Sequence, residues 1–451
     1  MANTEKNKPE TRPDEFSRSV DKYLLGIYIA LLVFSIIESY GASSFEVKAD
    51  NIFGPLIRHL VTLGIGVLTT VIVSRINYRH IPVLTPLFVF LSAIIVIVVF
   101  CFGEVSNDAV RSVSVLGFQL QSSEFVKLSA VLVIALVASK SQDKERKLSK
   151  RGVIIISVVV AIFGGSLITQ GLTNTALLMG ISIAMMFLGG IRWKHLFAVF
   201  GVYAFLAVIM FGVHSMLKSD DSSKEQESEQ VVAVAGTSVP GDIAANVQGT
   251  GEKKTVFRRS STWTKRIEQW KNDTIPMYEQ KVTDENRQVF FARMAQGTGN
   301  IFGHGPGNSS VTSQLPLANI DYIFSVVVSD LGFVGGFALL LCYLSLLFRA
   351  GRIASKCRRA YPAMLIIGMS VFIVFSAMFH MAINTGLFPV SGQPLPLISK
   401  GGTSILITSL AFGIMFSVSR TAAMSSKKEE NIAEKEMLPD DLQAENPGML
   451  K

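Results

Sequence analysis

The residue types best suited to chemistry in this chain are ionisable groups set in apolar surroundings. Asp321 stands at the head of a membrane-length apolar run that begins at Tyr322. Ionisable groups inside or at the rim of a membrane span are costly and usually serve a function. A carboxylate there has water on one side and a low-dielectric interior on the other, which strengthens its basicity and suits a general base. Its ordinary structural role is a helix N-cap, and the two roles are compatible. Asp330 follows nine residues on. On a helix that spacing is half a turn out of phase and roughly 13 Å deeper, so the two carboxylates face opposite ways and do not read as a catalytic pair.

Glu124 and Lys127 in "QSSEFVKL" are three apart and share a helix face. They read either as an ion pair that orients the helix or, with Arg111 upstream, as positive charge for an anionic phosphate group. His380 lies one turn before Asn384, and both precede "NTGLFPVSGQPLPLISKGGTS" (384–404), which contains Lys400. Repeated Pro and Gly forbid a regular helix there. Such backbone at membrane depth must be buried in protein or line a cavity, so the stretch is expected to be a re-entrant or cavity-lining loop beside a site. His380 itself reads first as a hydrogen-bonded core histidine. "GHGPG" (303–307) lacks the Gly-Lys-Ser/Thr of a nucleotide loop and reads as a tight turn. No Cys, His, Asp or Glu cluster suggests a metal cage, and the three cysteines form no spacing motif.

These groups need a membrane scaffold, and the composition supplies one. Of 451 residues, 49% are hydrophobic and 17% charged, with a mean hydropathy of +0.43. A soluble chain carries about a quarter charged residues. The expected fold is all-α integral membrane, with ten spans near 23–43, 54–74, 83–102, 122–139, 152–169, 175–190, 195–216, 322–348, 361–383 and 403–419. The net charge of +8 comes from basic residues flanking apolar spans, which disfavours nucleic acid as a partner. With both termini cytoplasmic, the inner loops and C-terminal flank carry 18 Lys and Arg against 3 in the short outer loops. That polarity makes 1–22 and 420–451 cytoplasmic tails around a 23–419 membrane domain. A long outer loop, 217–320, joins spans seven and eight. Its first part, to about 256, is polar and Ser-rich. "FRRSSTWTKRIEQW" (257–270) reads as a surface helix and 285–310 as a helix ending in a glycine-dense turn.

Several ordered motifs resemble one family. "GQPLPLISKGGTS" is similar to the G-x-P-L-P-L-I-S-Y-G-G-S-S signature of the SEDS family (shape, elongation, division and sporulation), which includes the FtsW and RodA branches. "QSSEFVKL" resembles its Q-P-S-E-x-x-K-L. "GTGNIFGHGPGNS" and "LPLANIDYIFSVVVSDLGFVG" resemble its glycine-rich and L-P-E-x-H-T-D-F-I-F motifs. The resemblance implies a peptidoglycan glycosyltransferase that polymerises lipid II at the outer face of the cytoplasmic membrane. Its implied partners are lipid II, the growing glycan strand, membrane lipids, a class B penicillin-binding protein and other divisome proteins. The family's catalytic aspartate falls on Asp321, its span-four Glu and Lys on Glu124 and Lys127, and its outer-loop arginine on Arg111. Asn384, His380 and Lys400 join them as expected substrate-binding residues.

The pattern departs from the family at Lys400 for Tyr, at Ser122 for Pro, and at Leu172, where a second family carboxylate is missing. The "GQPLPLIS" wording leans toward the FtsW branch, at the division septum, over a RodA-like elongation polymerase. No covalently bound cofactor is expected. Arg111, Lys127 or a divalent cation (Mg2+ or Mn2+) held partly by the leaving diphosphate is expected to stabilise its charge, with Lys400 as an additional candidate. The rival readings are a lipid II flippase and a scaffold recruiting partners through its tails. The flippase lacks support from any nucleotide motif, and the ionisable groups lie toward one face instead of forming a relay.

Overall fold

A computed structural model describes residues 20–43, 54–102, 104–106, 109–115, 118–143, 147–168, 170–203, 266–270, 279, 281–283, 286–315, 318 and 320–424. The expected tails up to residue 19 and beyond 424, the polar insertion 217–256, Lys48 and Trp263 lie outside them. The helices in chain order are α1 (Lys22–Ser43), α2 (Gly54–Arg75), α3 (Ile81–Phe102), α4 (Ser122–Lys140), α5 (Lys150–Ile168) and α6 (Leu172–Leu188). There follow α7 (193–203), α8 (266–270), α9 (Arg287–Thr298), α10 (Ile323–Ala354), α11 (Ala360–Asn384) and α12 (Gly402–Met424). Among the described residues eight of these are long and apolar enough to cross a membrane, and α6 is a shorter apolar helix. A membrane protein built of helices is therefore what the chain forms.

One element departs from the all-helical expectation. The segment between α3 and α4 forms three antiparallel strands, β1 (Glu104–Ser106), β2 (Ala109–Val115) and β3 (Phe118–Gln121). The alternation in "VRSVSV" has the period of two that a strand requires. Arg111 lies on β2.

Which helices are central follows from what they carry. α3 is almost pure hydrocarbon and turns Leu87, Phe90, Ile97 and Phe100 outward, as a lipid-facing helix does. α4, α11 and α12 are the most buried spans, and they hold the polar side chains. Buried Ser and Thr join neighbours across the bundle: Ser92 and Ser129 hydroxyls meet at 2.6 Å, and Thr70 Oγ1 donates to Ser409 O at 2.9 Å. Small residues permit that approach: a Cβ on Gly66 of α2 would stand only 2.7 Å from Ser409 Oγ.

α10 is 32 residues long, about 48 Å as a straight helix, well beyond a hydrocarbon core of about 30 Å. It breaks at Gly332 (φ 71°, ψ −171°), a conformation open essentially to glycine alone. The break frees backbone groups that lipid cannot satisfy. The 299–307 turn satisfies them. His304 N donates to Ser329 O (3.1 Å) and Gly305 N to Asp330 O (2.9 Å); in return Phe333 N donates to Asn300 O (2.9 Å) and Val334 N to Ile301 O (3.1 Å). "GHGPG" is thus a tight turn, as expected, and it docks on the kink of α10.

α1 runs antiparallel to α10 and is tied to its far end by the Arg349 guanidinium, which donates through Nε to Asp21 Oδ1 at 2.9 Å. Desolvation opposes the charge on Asp21, but Arg349 prevails and holds the carboxyl below its ordinary range.

Replacing Gly332 by Ala puts a side chain in a glycine-only conformation and drives its Cβ into the Ile301 carbonyl. The variant should lose at least about 2 kcal/mol of stability, seen as a lower unfolding temperature of the purified protein. An unchanged melting curve would refute the account of the kink.

Candidate active site

The segment between α11 and α12 has no regular structure, and residues 393–399 are buried. Protein side chains satisfy its backbone. Tyr343 OH donates to Pro396 O at 2.6 Å, and Ser35 Oγ to Leu397 O at 2.6 Å. Ser399 Oγ accepts from Leu395 N (2.7 Å) and donates to Ile320 O (2.9 Å). The irregular, protein-buried loop foreseen from Pro and Gly is present, and its last contact reaches the residue before Asp321.

On the other side of Asp321, Asn384 Nδ2 donates to the Asp321 carbonyl at 3.1 Å. The carbonyls flanking the Asp321 Cα are therefore each held by a side chain from a different part of the bundle. Asn384 is fixed in turn. Its Nδ2 also reaches His380 O (3.0 Å) and His380 Nε2 (3.2 Å), and its Oδ1 accepts from Ser325 Oγ (3.1 Å). Gln296 Nε2 of α9 donates to Ser325 Oγ (2.7 Å) and to Asn384 O (2.8 Å).

The array continues inward. His380 Nδ1 lies 2.6 Å from Gln393 O, an acceptor only, so Nδ1 carries the proton and Nε2 is left to accept from Asn384. Gln393 Nε2 donates to Asn174 Oδ1 (2.6 Å), and its Oε1 accepts from Lys127 Nζ (3.4 Å). Lys127 is fully buried and donates to Glu124 Oε1 at 2.6 Å. Lys127 can only donate, and this sets the direction of every hydrogen bond out to Asn174.

Five of the seven residues singled out from the sequence, Asp321, Glu124, Lys127, His380 and Asn384, thus belong to one hydrogen-bonded array. His380 is the hydrogen-bonded core histidine expected and a member of this array as well. Lys400 is half-buried at the end of the loop, where its charge reaches His59 of α2. Arg111 is placed by its strand alone. The N-cap of α10 is Tyr322, without a side-chain cap bond, so the cap position falls one residue after Asp321.

Asp321 is partly exposed, whereas the neighbouring Tyr322 is buried with its hydroxyl unpartnered. Burial pushes that hydroxyl well above its ordinary range; the Asp321 charge adds to this, and Arg266 and Arg293 oppose it. Two guanidinium groups therefore lie within electrostatic reach of the Asp321–Tyr322 corner. Arg266 Nη1 donates to Val390 O (3.1 Å) and Trp270 Nε1 to Gly386 O (2.8 Å), which docks α8 on the re-entrant loop.

Sequence reasoning missed Gln393, Asn174, Gln296 and the two arginines. A signal existed for Gln393: an amide inside a Pro/Gly loop at membrane depth must find partners. Nothing local marked Asn174, which stands two residues after the carboxylate-free position Leu172 and supplies the polar contact of that helix turn.

Lys127→Met leaves Glu124 buried without its cation and should cost about 3 kcal/mol or more. Glu124→Gln combined with Lys127→Met should recover most of that loss in thermal unfolding. A double variant as unstable as the single one would show that the pair is not the source of the cost.

A family model described as cell cycle protein, covering FtsW, RodA and SpoVE, matches residues 22–225 and 230–424. The chain is 29% identical over 408 residues to the "probable peptidoglycan glycosyltransferase FtsW" of Trichlorobacter lovleyi, covering 88% of this chain and 93% of that protein. It is 26% identical to stage V sporulation protein E of Bacillus subtilis, over 89% of this chain and 97% of that one. Among solved structures, the rod shape determining protein RodA of Thermus thermophilus superposes with a TM-score of 0.56 at 18% identity, covering 90% of this chain and 98% of that one. A chain of a peptidoglycan synthase complex that coordinates polymerization and crosslinking gives 0.61 at 20%, over 89% and 98%. These two likenesses establish a shared fold, and the family match extends through both the Glu124–Lys127 helix and the Asp321 corner. The chain belongs to the cell cycle protein family of FtsW, RodA and SpoVE.

Proposed function

We propose that this chain is a peptidoglycan glycosyltransferase that joins lipid II units at the outer face of the cytoplasmic membrane. The observation that carries the reading is the array ending on the Asp321 backbone carbonyl: a buried ion pair and the side chains of Gln393, His380 and Asn384 fix the peptide of a partly exposed aspartate at the mouth of α10. A general base must be held in place while its oxygens stay open to substrate.

In this reading Asp321 takes the proton from the 4-hydroxyl of one lipid-linked disaccharide. The freed oxygen attacks the anomeric carbon of the second, lipid-linked diphosphate leaves from the opposite face, and inversion gives a β-1,4 bond. Both substrates carry lipid tails while their sugars remain in water, hence a site at the rim of the bundle. Negative charge grows on the departing diphosphate. Arg266, Arg293, Arg111 and Lys400 are the cations assigned to it. Lys127, committed to Glu124 and Gln393, acts through the array. Among the described residues no three His, Cys, Asp or Glu side chains stand together, so an Mg2+ or Mn2+ at the phosphates would take oxygens chiefly from the substrate.

The reading includes ten crossings, with α6 and α7 joining the eight long helices, tails 1–22 and 420–451 inside, and the 217–320 loop outside. The Lys and Arg asymmetry supports that polarity. A class B penicillin-binding protein and divisome proteins are the assigned partners. The FtsW branch and a septal location are favoured by the FtsW names among the relatives.

Asp321→Asn should lower lipid II polymerisation in reconstituted membranes by about 10²–10⁴-fold, the usual cost of a lost general base. The variant should keep the abundance and unfolding temperature of the parent. Full glycan synthesis by the variant, or transfer of labelled lipid across sealed vesicles without glycan growth by the parent, would sink the assignment.

A further inference from the structure

The array around Asp321 leaves two buried acidic groups unused. Glu38 lies in α1 and is fully buried, and neither carboxylate oxygen has a hydrogen-bond partner. Asp330 lies at the kink of α10 and is almost as buried. Its Oδ2 accepts from Gly307 N at 3.0 Å, while its Oδ1 has no partner. Glu38 lies one turn before Gly41 on α1, and Gly41 abuts Asp330, so the two acidic side chains are neighbours where α1 meets α10 and the 303–307 turn. His304, whose Nδ1 rests on Ser329 O at 3.1 Å, is the titratable group that reaches Asp330 from the turn. Gly41, one turn from Glu38, is where α1 touches Asp330: a Cβ there would overlap Asp330 Oδ2.

Three orphaned carboxylate oxygens in this setting need an explanation. An unpaired carboxylate in a membrane interior is strongly disfavoured, and among the described residues no lysine or arginine bonds to either group. A proton shared between the carboxyls would serve one oxygen of each and leave the second Glu38 oxygen bare. A bridging cation would satisfy all three oxygens. The donors are all oxygen, which selects a hard cation over zinc or copper, and two carboxylates balance a divalent charge.

We propose that Glu38 and Asp330 bind one divalent, oxygen-preferring cation of the Mg2+, Mn2+ or Ca2+ class, which fastens α1 and the glycine turn to the kink of α10. Water or peptide oxygens complete its coordination. The site is roughly 13 Å along α10 from Asp321 and separate from any cation carried by substrate. Its effect on the reaction is indirect: it fixes the break that sets the direction of the α10 segment leading from Asp321.

The test is Mn2+ titration of the purified full-length chain, stripped with chelator in neutral detergent and followed by electron paramagnetic resonance and thermal unfolding. The parent should bind a single Mn2+, lose the signal to Mg2+ or Ca2+ in competition, and unfold at higher temperature with metal. Glu38→Gln and Asp330→Asn should each weaken Mn2+ binding at least about tenfold. Each removes one of two like charges, so neither should unfold below the metal-free parent. Asp321→Asn should bind Mn2+ as the parent does, which separates this site from the catalytic assignment. A parent that binds no Mn2+, or binding that survives in both Glu38→Gln and Asp330→Asn, would overturn the proposal.

Discussion

Two peptide carbonyls, those of Ile320 and Asp321, organise much of this molecule. They lie where a surface turn becomes a membrane helix, and neither is taken up by the helix itself. Ser399 holds one and Asn384 the other. Each of those side chains is satisfied on its other side, Ser399 by Leu395 N and Asn384 by Ser325, His380 and Gln296. In lipid a polar group without a partner costs far more than at a wet surface. The requirement to satisfy two carbonyls therefore spreads inward until it ends on the Glu124–Lys127 ion pair. A carboxylate on such a peptide has little freedom to drift, which is what a positioned base requires.

The same requirement explains the irregular segments. The loop between α11 and α12 and the break in α10 are both non-helical backbone at membrane depth. Each is clothed by protein: the first by hydroxyls of α1 and α10 together with Ser399, the second by the 299–307 turn. The glycines of "GHGPG" serve the close approach of two chains, since a side chain at Gly303 would collide with the Asp330 carbonyl. The motif's likeness to a phosphate loop comes from a shared need for compact turns, without a shared ligand.

Much of the site was legible in the primary sequence because isolated polar residues in apolar runs are conspicuous. Asp321, Glu124, Lys127, His380 and Asn384 were all found that way, and the structure joins them. Gln393 was passed over although its place in a Pro/Gly loop at membrane depth marked it, while Asn174 and Gln296 were not found because amides near helix ends are common and carry no local mark. The cap position of α10 falls on Tyr322, one residue after Asp321, because the helix start depends on where the turn is pinned, which is a matter of distant contacts. The strands between α3 and α4 were overlooked because a short alternating run is weak beside the long apolar helices around it.

Amino-acid order alone determined that the chain enters the membrane, roughly where each long helix runs, and which segment must be re-entrant. These follow from transfer energies and from the geometry of Pro and Gly, which are properties of local sequence. Tertiary packing decided which polar groups meet. Gln393 lies 219 residues from its partner Asn174 and 266 from Lys127, and Ser399 lies 79 from Ile320. No local pattern encodes such pairings. They arise because a buried polar group must take whatever partner the folded bundle brings within reach, and that is settled only when helices far apart in sequence have packed together.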